Sequence, residues 1–256
     1  MDNQTTQLEA LKYLNKLNKL KNIKVVKYDK TFNYAAINNY AVEEASGKFV
    51  AFLNNDIEVI TKTWLNEMLQ HAQRKEIGIV GAKLYYPDMT IQHAGVVLGI
   101  AGVAGHVHKY FNENAHGYFS RLQIIQNYSA LTAACIVIQK DIFKEVNGFE
   151  EELVVAFNDI DLSLKVLEKG YRNLWTPYAK LIHYESKSRG QEDSFEKKKR
   201  FDGERDFMQK KWKRKLLEDK CYNPNLTLEH ENFSLKIEEK IEKYKKWIYK
   251  KGFYLG

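Results

Sequence analysis

Two short acidic stretches carry most of the chemistry this chain offers. One is Asn54-Asn55-Asp56; the other is Asn158-Asp159-Ile160-Asp161, followed within one span by His183, Ser186 and Arg189. Asp159 falls in the first turn of a helix predicted by its sequence, where the macrodipole favours the ionised form, so it is poised to take a proton as a base. An Asp-x-Asp at a helix start ordinarily does no more than cap the helix. The second acidic site upstream is what turns the pair into a candidate site.

The elements that must position these groups follow from periodicity. Ile160, Leu164 and Leu167 recur at i, i+4 and i+7 on one helix face, with Asn158 as expected N-cap and Gly170 as stop. A turn at Pro177 precedes a short strand, Ala179 to Tyr184, that returns His183 towards the same end. Upstream, leucines at 8, 11, 14, 17 and 20 predict a helix, and Ile23 to Tyr28 predicts a strand. A helix over Asn33 to Ser46, closed by Gly47, precedes an apolar strand, Phe49 to Leu53, that delivers Asn54-Asn55-Asp56. This alternation predicts a parallel α/β sheet, in which ligands bind beyond the carboxyl ends of the strands.

Further on, Thr61 to Arg74 reads as a helix with Trp64, Leu65, Met68 and Leu69 facing inward, and Ile77 to Tyr85 as a strand. Tyr128 to Ile138 reads as one buried strand and Asp141 to Val146 as a short helix stopped at Gly148. The Gly-rich stretch Ile91 to Val107 fits no single element. Its region's histidines, His93, His106 and His108, lack a ligand spacing with supporting carboxylates, and its glycines are followed by no Lys-Ser/Thr, so neither a metal site nor a phosphate loop is read there.

Composition bounds the rest. A chain of 256 residues with 44% hydrophobic and 13% aromatic residues buries a full core. Two cysteines, Cys135 and Cys221, argue against a disulfide scaffold and for a reducing, cytoplasmic setting. No apolar run is long enough to span a bilayer and no signal peptide is recognisable at Met1 to Gln7, so the expectation is a soluble or peripheral protein. The net charge is +7, and the last quarter, from Gln191, holds 18 Lys/Arg against 13 Asp/Glu. No basic face interleaved with aromatics supports a nucleic-acid partner. Ile237, Ile241, Tyr244 and Ile248 describe an amphipathic tail helix, expected to pack on its own domain or a partner, or else to lie on an anionic membrane.

LNND (Leu53 to Asp56), the Gly148-Phe149 turn, FNDID (Phe157 to Asp161), GYR (Gly170 to Arg172) and HYESKSRG (His183 to Gly190) together resemble the family 2 glycosyltransferases of GT-A fold, nearest to the O-antigen and rhamnan type. QHAG (Gln92 to Gly95), GHVHKY (Gly105 to Tyr110), QNYSALTAAC (Gln126 to Cys135) and YNPNLTL (Tyr222 to Leu228) fit the same subgroup, so the likeness runs from Asp2 to about Leu235. It implies a GT-A, Rossmann-like mixed sheet with flanking helices over residues 1–190 and a basic, helical C-terminal extension over 191–256.

The resemblance implies roles as well. Asp56 matches the carboxylate that holds a divalent metal, Mn²⁺ or Mg²⁺, on the donor diphosphate, with Asn54 in place of the motif's first acid. His183 matches the second protein ligand, Asp159 the catalytic base of an inverting transfer, and Asn55 the donor side of the motif. Arg189 would face the leaving diphosphate, with Asp161 and Ser186 in support. Asp2 corresponds to the base-recognising acid, and Asn38 and Asn39 to the helix that faces the nucleotide. The implied partners are a nucleotide-sugar donor and a saccharide or lipid-linked acceptor, at the inner face of the cell membrane, in cell-surface polysaccharide synthesis.

The family's pattern also opens with a strand, a helix and a second strand, and this chain begins as if on the last residues of that second strand. The two absent strands would lie between Ile23 to Tyr28 and Phe49 to Leu53, predicting an open sheet edge, weak donor binding and self-association. Two other classes are weighed: a glycosidase, which would need a second acid opposite Asp159, and a catalytically silent relative acting as a docking module.

Overall fold

The computed structural model describes residues 1–185 and 194–236. In chain order its elements are helices α1 (Leu8–Leu17) and α2 (Tyr34–Glu44), strands β1 (Phe49–Leu53) and β2 (Ile57–Val59), helix α3 (Trp64–Ala72), strands β3 (Ile77–Tyr85), β4 (Ile91–His93), β5 (Val96–Leu98), β6 (Ala104–His106), β7 (Gln126–Tyr128) and β8 (Cys135–Gln139), helices α4 (Lys140–Glu145) and α5 (Asn158–Glu168), strand β9 (Arg172–His183) and helix α6 (Phe195–Trp212). Five strands run in the order β1-β8-β3-β9-β2, with β4 added on β3 and β7 on β9; β5 and β6 form a separate hairpin.

The sheet is mixed, and the expected parallel arrangement is corrected: among these ladders only β3 and β9 run parallel. The reason lies in connections that sequence periodicity did not resolve. Tyr128 to Ile138, expected as one strand, is two strands joined by a loop at Ser129–Ala134, and β8 returns antiparallel between β1 and β3. Pro177 does not separate two strands either. It lies inside β9, where the register against β3 slips between Gly81 and Lys83, so the strand bulges around the missing amide and continues to His183.

Every residue of β3 is buried because helices and loops cover both of its faces. On one side α3 packs Met68 and Ala72 against Ile77, Val80 and Leu84; Leu65, expected inward, is 37% exposed at the helix rim. On the other side α5 approaches β3 closely enough that a Cβ on Gly78 would lie 2.2 Å from Val166. That contact fixes how far α5, which carries Asp159, stands from the sheet.

Two expected elements differ at the start of the chain. Ile23 to Tyr28 forms no strand; a single parallel bridge joins Lys27 to Asp2. Among the described residues β1 pairs only with β8, so no neighbouring strand is available to pull Ile23 to Tyr28 into the sheet. Helix α1 forms as expected but buries none of its side chains fully.

The described residues 194–236 are not packed apart from the rest. Met208, Trp212 and Leu216 share a core with Leu98, Ile160 and Leu164, and Tyr222, Leu226 and Phe233 join the main core. The division expected at 190 therefore meets no break in packing, and helix ends at Leu217, with irregular chain to Lys236. The amphipathic pattern at Ile237 to Ile248, and Ser186 and Arg189, lie outside the described residues. Among the described residues no helix is long and apolar enough to cross a membrane.

Candidate active site

At the carboxyl ends of β1 and β9 a cleft of about 660 Å³ opens, lined among others by Asn54, Asn55, Asp56, Thr132, Ala133, Asp159, His183 and Glu185. The two acidic stretches thus converge. β1 carries Asn54 to Asp56 out of the sheet, β9 carries His183, and the first turn of α5 carries Asp159.

The turn into α5 departs from its expected form. Phe157, not Asn158, is the capping residue, held at φ +62°, a left-handed conformation that is strained for a bulky side chain. Asn158 is already helical and its amide donates back to the Val155 carbonyl at 2.8 Å. Asp159 receives N–H bonds from Ala133 at 3.1 Å and Ile160 at 2.9 Å. Even so, burial pushes its carboxyl above the usual carboxylate value, outweighing those donors and the Thr132 hydroxyl. Burial thus acts against the pull of the helix terminus that the sequence suggests. The Tyr34 hydroxyl, donating to the Ala133 carbonyl at 3.1 Å, is itself pushed up by burial and by the charge of Asp159.

His183 and Asp56 form the opposite wall. Nδ1 of His183 lies 2.8 Å from Gln92 Oε1, an atom that only accepts, so Nδ1 carries the proton and Nε2 keeps its lone pair. That Nε2 faces Asp56 Oδ1 at 3.2 Å and the Asn54 amide at 3.2 Å. Burial lowers the pKa of His183, against the raising influence of Asp56 and Glu185. Asp56 Oδ1 is buried and receives no hydrogen bond. A carboxylate oxygen without a donor beside an imidazole lone pair is an arrangement that a divalent cation satisfies, so the residues fit the metal that the resemblance implies.

Other expected residues lie elsewhere. The Asp2 carboxylate accepts from Thr5 N at 3.3 Å, Asn38 donates to the Tyr34 carbonyl within its own helix, and Asn39 clasps the backbone of Phe149. None of the three lines the cleft. Asp161 is fully buried and turned towards α6, accepting from the Trp212 indole and paired with Lys211, both at 2.8 Å, and with Lys165 at 3.2 Å. Sequence reading missed Gln92, Thr132, Ala133 and Tyr34. Gln92 stood inside QHAG, in the stretch without an assigned element, and Thr132 and Ala133 were hidden by reading a loop as strand.

Comparison with known proteins bears on the family and the fold. The family model described as "Glycosyltransferase like family" matches residues 1–204. The chain belongs to this glycosyltransferase-like family. An uncharacterized Sinorhizobium fredii protein, y4gI, is 51% identical over 237 residues, 92% of this chain and 26% of its own length. The Myxococcus xanthus O-antigen biosynthesis protein RfbC is 42% identical over 163 residues, 63% of this chain and 13% of its own. The glycosyltransferase-family chain thus spans about a quarter or less of these relatives. GalNAc-T7, solved with UDP, GalNAc and Mn²⁺, superposes with a TM-score of 0.58 at 15% identity, over 74% of this chain and 38% of its own. The fold is that of the GT-A glycosyltransferases.

Proposed function

We propose that this chain carries out inverting transfer of a sugar from a nucleoside-diphosphate donor to a hydroxyl of a saccharide or lipid-linked acceptor, in the synthesis of an O-antigen-like surface polysaccharide. One observation carries the reading: a carboxyl raised by burial, Asp159, faces the same cleft as the Asp56 and His183 pair. A base whose pKa is raised towards the working pH accepts a proton more effectively than an ordinary carboxylate. Asp159 takes the proton of the acceptor hydroxyl as its oxygen attacks the anomeric carbon. The bond from that carbon to the diphosphate oxygen breaks, and the configuration inverts. A divalent cation held by Asp56 and His183 would neutralise the charge growing on the leaving diphosphate. Asn54 and Asn55 offer amide donors on the same rim, and Arg189 is assigned to the leaving group with them. The name of RfbC supports the polysaccharide class.

The test is release of nucleoside diphosphate from a panel of nucleotide sugars with Mn²⁺ or Mg²⁺, comparing the wild type with Asp159→Asn. Release that depends on the cation and on Asp159 supports the reading; release indifferent to both overturns it. The position of Asp2, Asn38 and Asn39 away from the cleft favours a second reading, a docking module that does not bind donor. Calorimetric donor titration separates the two.

A further inference from the structure

Strands β3 and β9 run parallel with Tyr85 opposite Ile182, so one residue further on Tyr86 arrives beside His183 at the same carboxyl edge. The Tyr86 ring stacks on Tyr110 with centroids 5.2 Å apart and planes 10° from parallel. Lys109, the neighbour of Tyr110, lines a second groove of about 640 Å³ whose other wall includes Glu229, His230, Glu231 and Asn232. The stacked tyrosines line neither concavity themselves, but Lys109 and Phe111, on either side of Tyr110, both line the groove. The Tyr86 hydroxyl is raised first by burial, then by its hydrogen bond with Tyr110, and less by the charges of Glu185, which lines the cleft, and Glu231, which lines the groove.

Tyr110 is unusual in three respects. It is 66% exposed although aromatic, its φ is +64°, and yet its backbone is fixed. Its N–H donates to the Ile91 carbonyl at 2.7 Å, and the preceding His108 N–H donates to the Glu231 carbonyl at 3.0 Å. A strained backbone that holds an apolar ring in water costs stability, and such costs gather where a ligand recovers them. A ring fixed in advance loses little entropy on binding.

We propose that the Tyr86 and Tyr110 stack, with the groove beyond it, is the binding track for an extended neutral saccharide acceptor. A pyranose ring offers a face of C–H groups that packs flat on an aromatic ring, and an edge of hydroxyls that carboxylates and amides bind. Tyr110 supplies the first; Glu229, Glu231 and Asn232 supply the second. Lys109 lies 5.2 Å from the Tyr110 centroid, an exposed contact of the kind that yields to a stacking sugar. Two carboxylates against that one ammonium disfavour an anionic headgroup or diphosphate in the groove, which selects a neutral glycan over a lipid surface. The proposal rests on the transferase reading for its biological meaning, but its binding test does not need turnover.

The experiment is retention of the chain on an array of neutral bacterial surface oligosaccharides of increasing length, without donor, for wild type, Asp159→Asn, Tyr110→Ala and Tyr110→Phe. Wild type and Asp159→Asn are expected to bind a shared set, more strongly for longer members. Tyr110→Ala should lose at least about tenfold in affinity while Tyr110→Phe, which keeps the ring, stays near wild type. Melting temperatures of the variants control for folding. Equal binding by Tyr110→Ala, no glycan bound by wild type, or Tyr110-dependent binding to anionic vesicles in place of glycans would each overturn the proposal. Tyr110-dependent glycan binding by a chain that releases no nucleoside diphosphate would leave it standing and remove the transferase reading instead.

Discussion

Gln92 Oε1 and His183 Nδ1 stand 2.8 Å apart, and this contact decides which nitrogen of His183 faces Asp56. Gln92 also donates to the His183 carbonyl at 3.3 Å and to Glu185 at 3.1 Å, so one amide fixes the tautomer, the ring and the strand end together. Gln92→Leu keeps the volume roughly but removes the acceptor. We expect Mn²⁺ affinity, read by electron paramagnetic resonance titration, to fall roughly 10–100-fold with little change in the circular dichroism spectrum. Unchanged affinity would mean that His183 does not depend on this contact.

Asp159→Asn should reduce transfer by roughly 10²–10⁴-fold. Because burial raises the Asp159 carboxyl in the folded chain, ionising it costs folding free energy, and its contribution to stability falls as pH rises from the unfolded pKa through the folded one. Asparagine carries no charge to bury but keeps only one acceptor oxygen for the two N–H donors, so at neutral pH the variant should melt close to the wild type. The acid limb of kcat/KM in the wild type should lie above the ordinary aspartate value. A limb at or below that value would assign the proton to another group.

Asp161 predicts the opposite pattern. Removing its carboxylate leaves the buried Trp212 indole without an acceptor and takes one partner from Lys165 and Lys211, which keep the Gly148 carbonyl and Glu150, so Asp161→Ala should cost about 1–3 kcal/mol of stability in urea unfolding. The residue still folded should keep its turnover per molecule. A loss of turnover without a loss of stability would move Asp161 into the chemistry.

Glu204 on α6 accepts from two consecutive amides, Val155 N at 2.8 Å and Ala156 N at 3.1 Å, just ahead of strained Phe157. Glu204→Gln replaces one acceptor oxygen with a donor and should raise hydrogen exchange at those two amides while lowering kcat more than it changes donor KM. Exchange identical to wild type would show that the loop holds its shape unaided.

Acid should weaken the fold through its buried histidines. His106 and His108 are each lowered by burial to about 4, so the native chain keeps both neutral while the unfolded chain protonates them near 6.5. Their stabilisation is complete above that unfolded value and is lost as pH falls towards the folded one, on the order of 1–3 kcal/mol each. His108→Phe should flatten urea midpoints across that window; an unaltered slope would contradict the assignment.

Helices and the main strand were legible in the sequence because each carried its own pattern. Ile160 and Leu164 turn inward as their spacing requires, and Ile77 to Tyr85 is a strand over its whole predicted length. Asp56, Asp159 and His183 could be singled out from their types and their places at element ends, and they line one cleft, while the roles given to them came from the likeness. What periodicity could not carry was partnership. It did not distinguish the Thr132 loop from a strand, nor show that both neighbours of β8 run antiparallel to it, since both depend on which distant strand lies alongside. Asp2, Asn38 and Asn39 were assigned by likeness alone, and each satisfies itself on nearby backbone or its own helix.

Asp159 and Asp161 sit two residues apart on α5, and two steps of a helix turn about 200°. One acid therefore looks into the cleft and the other into the protein, and which does which is set only by the rotational phase of the helix. A single residue inserted between Phe157 and Asn158 would advance that phase by about 100° and leave neither acid where it works. The Val166 and Gly78 contact locks the phase from the sheet side, and the Trp212 and Asp161 bond locks it from α6. For this chain, length between Phe157 and Gly170 is as binding a constraint as residue type, and substitutions there should be tolerated where insertions are not.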